Sequence, residues 1–107
     1  FTTEHHVHYH EDECVYILSG SGTAFIGDEA FLVQEGDFIA YPKGKEAHSI
    51  QNTGEAILRC LVVGERLDHD DVDYPYLNKR IFRNKGLPWQ MTDIDHLTIL
   101  SGSVGKK

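Results

Sequence analysis

Three imidazoles and three carboxylates crowd into the eight residues His6-Val7-His8-Tyr9-His10-Glu11-Asp12-Glu13, directly ahead of the apolar segment Cys14-Val15-Tyr16-Ile17-Leu18. Neutral imidazole nitrogens and a carboxylate oxygen suit a borderline divalent transition metal. In an extended segment side chains alternate faces, so His6 and His8 project from one side and converge on one point. Glu13 lies an odd number of residues beyond His8, and one unbroken strand would send it to the opposite face. The polar run His10-Glu11-Asp12 offers a bend that brings it back. Farther along, His48 follows the turn Tyr41-Pro42-Lys43-Gly44, which can deliver a third imidazole from a distant strand. The expected site is therefore His6, His8, Glu13 and His48, around an ion that the sequence does not resolve among Fe, Mn, Ni, Zn and Co. His8 with His10 has the same spacing but leaves too few residues before Glu13, and His5 is a further neighbour. The competing reading is a solvated cluster near a terminus plus an unrelated loop histidine. Glu11 and Asp12 read as turn-facing acids, or as partners that fix an imidazole tautomer.

Positioning these groups requires strands. Residues 15–18 are β-branched, aromatic and apolar; Ser19-Gly20-Ser21-Gly22 turns; 23–26 and 30–33 are strands either side of Gly27-Asp28. Gln34-Glu35-Gly36-Asp37 turns into a strand at 38–41, Pro42 to Gly44 ends it, 47–51 carries His48, and 56–63 reads as the last and longest strand. The glycines at 20, 36 and 44 meet backbone needs at tight turns, and Pro42 supplies a fixed φ. No stretch keeps a helical period over a useful length, and short strands between such turns predict an antiparallel sandwich or barrel. Residues 1–4 are too short for a full preceding edge strand, so the expectation is that more chain or a partner supplies that edge.

Two spaced motifs resemble the cupin superfamily. Its first has the form G-x5-H-x-H-x(3,4)-E-x6-G, and here His6-x-His8, four residues, Glu13, six residues and Gly20 satisfy everything after the opening glycine. Its second has the form G-x5-P-x-G-x2-H-x3-N. This chain gives Gly36, five residues, Pro42-Lys43-Gly44, three residues instead of two, His48, three residues and Asn52. Two motifs at this separation are more specific than either alone. The resemblance covers residues 1–64 and implies an all-β fold, an antiparallel double-stranded β-helix or jelly-roll barrel. It also implies a divalent metal on His6, His8, Glu13 and His48.

Beyond Gly64 the character changes, so the chain divides into a barrel core at 1–64 and an extended C-terminal arm at 65–107. Residues 65–73 are acidic and include His69, while Leu87-Pro88-Trp89-Gln90-Met91 and Leu97-Thr98-Ile99-Leu100 are too apolar for a solvated linker. They are expected to pack on the barrel or on a second subunit. Asp93 can cap a short helix there, and 101–107 reads as a frayed end. His69 and His96 read as surface residues.

Composition narrows the function classes. At 107 residues, 40% hydrophobic and 25% charged, the chain is one globular domain. Its net charge of -7 and scattered basic residues give no footprint for nucleic acid. No apolar run approaches the ~20 residues that span a bilayer. Cys14 and Cys60 sit inside apolar runs and read as buried thiols, which favours a reducing cytoplasm; Cys60 facing inward would line the pocket. Lys43, Lys45 and Arg59 read as solvated charges, or as contacts for an anionic ligand. The resemblance fits enzymes that include dioxygenases, isomerases, decarboxylases and lyases, and the complete ligand set favours a metal-dependent dioxygenase or isomerase acting on a small organic acid or sugar derivative. The alternative is a small-molecule sensor without turnover. Candidate general bases are Tyr16, Tyr41 and Glu46, and the apolar arm with the open edge predicts a homodimer.

Overall fold

A computed structural model describes residues 2–101; Phe1 and residues 102–107, and with the latter all but Ser101 of the expected frayed end, lie outside the described residues. Among the described residues ten strands form, all in antiparallel ladders: β1 (Val7–His8), β2 (Glu13–Ser19), β3 (Ser21–Ile26), β4 (Glu29–Gln34), β5 (Phe38–Tyr41), β6 (His48–Gln51), β7 (Arg59–Gly64), β8 (His69–Tyr74), β9 (Lys79–Asn84) and β10 (Gln90–Asp93). They make three sheets, ordered β5-β2-β7, β4-β3-β6 and β1-β8-β9-β10. The first two are the expected jelly-roll layers. Period-two alternation on β2 buries Val15 and Ile17 and exposes Tyr16 and Leu18. The buried pair meets Ala24, Val33 and Tyr41, with Ile26, Ile39, Ile50, Leu58 and Cys60 packed around them. Ile17 is completely buried, a burial that contributes about 1.5–3 kcal/mol.

Turn chemistry fixes the register of these layers. Gly27 has φ +57 at the first of the two residues between the paired Ile26 and Glu29, the position a type II′ hairpin reserves for glycine. Gly20 has φ +86, and a Cβ there would meet the Ile57 carbonyl oxygen at 2.4 Å. Both conformation and space therefore require glycine at the β2–β3 corner. The strand expected over 56–63 begins later, at Arg59, because the Asn52 side chain holds a loop: its amide donates to the Ala56 carbonyl and its oxygen accepts from the Gly54 N–H.

That strand is also not the last. The stretch after Gly64 folds into the β8–β9 hairpin and β10. Its tip, Pro75-Tyr76-Leu77-Asn78, closes with Asn78 at φ 54, a left-handed conformation that asparagine tolerates. A 3-10 turn, Ile94–His96, follows Asp93, whose side chain makes no capping hydrogen bond.

One short strand joins the sheets. Thr2 and His6 bridge to Gln51 and His48 on β6, so the chain's own first residues line that edge of the second layer. The chain then crosses to the third sheet, where Val7 pairs with Asp73 and His8 with Val72. The histidine stretch is thus the seam between barrel and C-terminal sheet. Among the described residues no helix is long and apolar enough to cross a membrane.

Candidate metal centre

His6 and His8 share a face, as strand alternation requires, and their rings lie 5.2 Å apart, edge to face. A bend at Tyr9 and His10 follows, and Glu13 returns at the head of β2, opposite Tyr41 on β5 and Gly64 on β7. Ligand atoms of His6, His8 and Glu13 all lie within 4.8 Å of one another, close enough to hold a metal ion together. The second motif is tied to the first by backbone. His6 and His48 exchange N–H···O bonds of 3.0 and 2.9 Å, and the Gly44 N–H donates to the His8 carbonyl at 2.8 Å. Lys43 N–H donates to Asp12 Oδ1, so Asp12 shapes the turn that precedes His48. The extra residue between Gly44 and His48 is absorbed in this loop. The His48 ring sits 4.7 Å from that of His6, with Nε2 2.9 Å from Glu13 Oε1.

The donor set fits a divalent ion. His6 Nδ1 lies 2.7 Å from the Glu4 carbonyl, which can only accept, so Nδ1 carries the proton and Nε2 keeps its lone pair. His8 Nδ1 lies 2.7 Å from Asp70 Oδ2 with the same consequence. Burial lowers the pKa of His6 and outweighs the raising effect of the Glu4 carbonyl, which keeps the ring neutral and able to ligate. The hydrogen bond from His48 holds the Glu13 carboxyl below its usual range, so it is an anion at neutral pH. His48 differs from the other two imidazoles: its Nε2 is engaged by Glu13, and its buried Nδ1 has no hydrogen-bond partner. Tyr41 stacks on it, centroids 3.5 Å apart and planes 5° from parallel.

Other expectations fare variously. His10 points away, half-exposed and 3.6 Å from Asp71. His5 turns to Ser49 Oγ at 2.9 Å and stacks on Tyr76. His69 and His96 are exposed. Glu11 is no turn-facing acid but buried: it pairs with Arg83 of β9 and accepts the Leu67 N–H, since a buried carboxylate needs a cation and donors. Of the three candidate bases only Tyr41 adjoins the site, and burial pushes its hydroxyl up to about 12, which makes it a donor rather than a base. Tyr16 and Glu46 are exposed. Cys60 lines a cleft of about 360 Å³ with Thr3, Ile50, Leu58 and Val62, and burial raises its thiol pKa, so it stays an unreactive apolar wall. None of His6, His8, Glu13 and His48 lines that cleft.

The residue that sequence reasoning missed is Asp70. It is fully buried on β8, and its second oxygen accepts the His10 N–H at 2.9 Å. The one local signal is weak: Asp70 shares a strand face with Val72 and Tyr74, and aspartate is disfavoured in strands unless something pairs it.

Comparison with known proteins places the chain. Residues 2–64 match the family described as the cupin domain. Among solved structures, the chain is similar to a candidate sugar phosphate isomerase of Acidithiobacillus ferrooxidans, with a TM-score of 0.89 and 44% identity over 94% of this chain and 64% of that one. A sugar phosphate isomerase from a cupin superfamily, from Silicibacter pomeroyi, shares the fold at 22% identity, with a TM-score of 0.81 over 92% of this chain and 63% of that one. An uncharacterized protein of Methanocaldococcus jannaschii is 41% identical over 56 residues, 52% of this chain and 44% of that protein. The chain therefore spans under half the length of that relative and just under two thirds of the two solved structures. With both motifs, the jelly-roll layers and the family match over residues 2–64 agreeing, the chain belongs to the cupin domain family.

Proposed function

We propose that the protein is a metal-dependent isomerase acting on a small sugar derivative, with a divalent transition metal held by His6, His8, Glu13 and His48. The observation that carries this reading is the convergence of the His6, His8 and Glu13 ligand atoms within 4.8 Å, with each Nδ1 of the two histidines already engaged. His48 joins them by giving up its hydrogen bond to Glu13. When bound, such an ion supplies a Lewis acid for a hydroxy-carbonyl substrate. The chain's own groups do the rest: Glu13 contributes negative charge, and Tyr41 stays protonated and holds the His48 ring by stacking. An apolar cleft of about 360 Å³, lined by Ile50, Leu58, Cys60 and Val62, has the size for a small ligand. The 44% identity to a candidate sugar phosphate isomerase supports an aldose–ketose substrate.

The test is solvent-deuterium incorporation, followed by NMR, into a panel of aldose and ketose phosphates by protein loaded in turn with Mn, Fe, Ni, Co and Zn. Exchange at the carbon next to the carbonyl is the expected result. Binding without exchange would leave a sensor, and oxygen uptake on an organic acid would make it a dioxygenase.

A symmetric dimer accompanies this reading. Tyr16, Leu18, Phe38, Leu61 and Val63 form an outward apolar face on β5-β2-β7, each 41 to 64% exposed in the single chain. Leu87, Trp89, Met91, Ile99 and Leu100 are exposed too. Light scattering should give twice the chain mass, and a monomer at all concentrations would refute the assembly. Free Cys14 and Cys60 support a reducing compartment, the cytoplasm.

A further inference from the structure

We propose that Asp70, which lies outside the family-matched segment, is the positioning residue that makes His8 a metal ligand, so that the C-terminal hairpin is a working part of the centre. The proposal rests on the metal reading above. An imidazole ligates through the nitrogen that does not carry the proton, and the partner of the other nitrogen decides which that is. For His8 that partner is Asp70 Oδ2, 2.7 Å from Nδ1. The His8 side chain is partly accessible, whereas that of Asp70 has no exposure at all. Burying a carboxylate this deeply is costly unless it is paired, and both of its oxygens are used: Oδ2 by His8 and Oδ1 by the His10 N–H. One side chain thereby orients the ring and pins the bend that returns Glu13.

Among the described residues Glu11 is the only rival partner, with Oε1 3.8 Å from His8 Nδ1. It is already committed to Arg83 and to the Leu67 N–H, and Arg83 in turn donates to the Leu67 carbonyl and lies over the Trp89 ring. The same cation argues against His8, Glu11 and Asp70 forming a second metal site, although their ligand atoms also lie within 4.8 Å of one another. Arg83 already neutralises Glu11, one of the three. The barrel motif supplies the ligands, and β8 supplies the group that presents one of them.

Substitution Asp70→Asn keeps the volume but leaves one acceptor oxygen where two are needed. Either His10 loses its partner, or an amide N–H faces His8 Nδ1 and drives the proton to Nε2, where an ion must bind. NMR of the 15N-labelled, metal-free chain reads which His8 nitrogen is protonated, and chelator competition reads zinc affinity. Expected are the Nδ1–H form in wild type, a shift toward Nε2–H in Asp70→Asn, and a loss of zinc affinity of about 10–100-fold. The neighbouring Asp71→Asn should change neither. Wild-type His8 in the Nε2–H form overturns the proposal even if the variant does not fold, as does an Asp70→Asn protein that keeps both tautomer and affinity. Wild-type protein with the Nδ1–H form that binds no zinc overturns instead the metal reading on which the role depends.

Discussion

The jelly-roll layers and the C-terminal sheet are both antiparallel, yet they are held by opposite means. Between β5-β2-β7 and β4-β3-β6 the buried cluster is Val15, Ile17, Ala24, Val33 and Tyr41. At the junction with β1-β8-β9-β10, the buried valines Val7 and Val72 are joined by the buried charges of Glu11, Asp70, Asp73 and Arg83. Arg80 binds Asp73 through two nitrogens at 2.6 and 2.9 Å, and the Tyr9 hydroxyl donates to the same carboxylate at 2.5 Å. Burial alone would raise the Asp73 pKa, but these bonds hold it below its usual range. Apolar packing tolerates many partners; buried charge tolerates few. The barrel is therefore a general scaffold, and the charged seam sets the hairpin in one register against the histidines.

The largest effects should separate the two regions. Arg83→Ala strands a buried Glu11 carboxylate and should cost about 3–5 kcal/mol in urea unfolding, whereas joint replacement by Arg83→Met and Glu11→Leu should restore most of it. Ile17→Ala should cost about 2–5 kcal/mol, and no polar partner exists whose removal would restore it. Failure of the double replacement to recover stability would mean that the seam is held by shape rather than by charge pairing.

A smaller effect follows acidity. Burial lowers the pKa of His5 and His6 from 6.5, so below that value the unfolded chain binds protons that the folded chain does not. Stability of the metal-free protein should be full above pH 6.5 and fall as pH drops toward the folded values. Glu13, held low by His48, adds a further loss as pH falls below 4.5. Flat stability from pH 7.5 to 5 would show that these rings are solvated.

This contrast also explains how much was legible in the sequence. Val15 and Ile17 alternate with Tyr16 and Leu18, so strand and buried face could be read locally. The convergence of His6, His8 and Glu13 was legible because strand alternation and a polar break govern it, though the bend expected over His10-Glu11-Asp12 falls earlier, at Tyr9 and His10. Asp70 could not be located, since its partner is 62 residues away and an acidic run looks the same whether solvated or buried. Glu11 was misread for that reason: its cation, Arg83, lies 72 residues on. The extension read as an arm because charged residues on β8 and β9 hide the alternation that apolar strands display.

The most direct test of the metal centre is elemental analysis of the purified protein beside His6→Ala and Glu13→Ala, before and after loading with excess divalent metal. About one transition-metal ion per chain in the wild type, lost in both variants while circular dichroism keeps its β signature, is the expected result. Wild-type protein that takes up no metal after loading, or variants that retain it in full, would contradict a centre built on these residues.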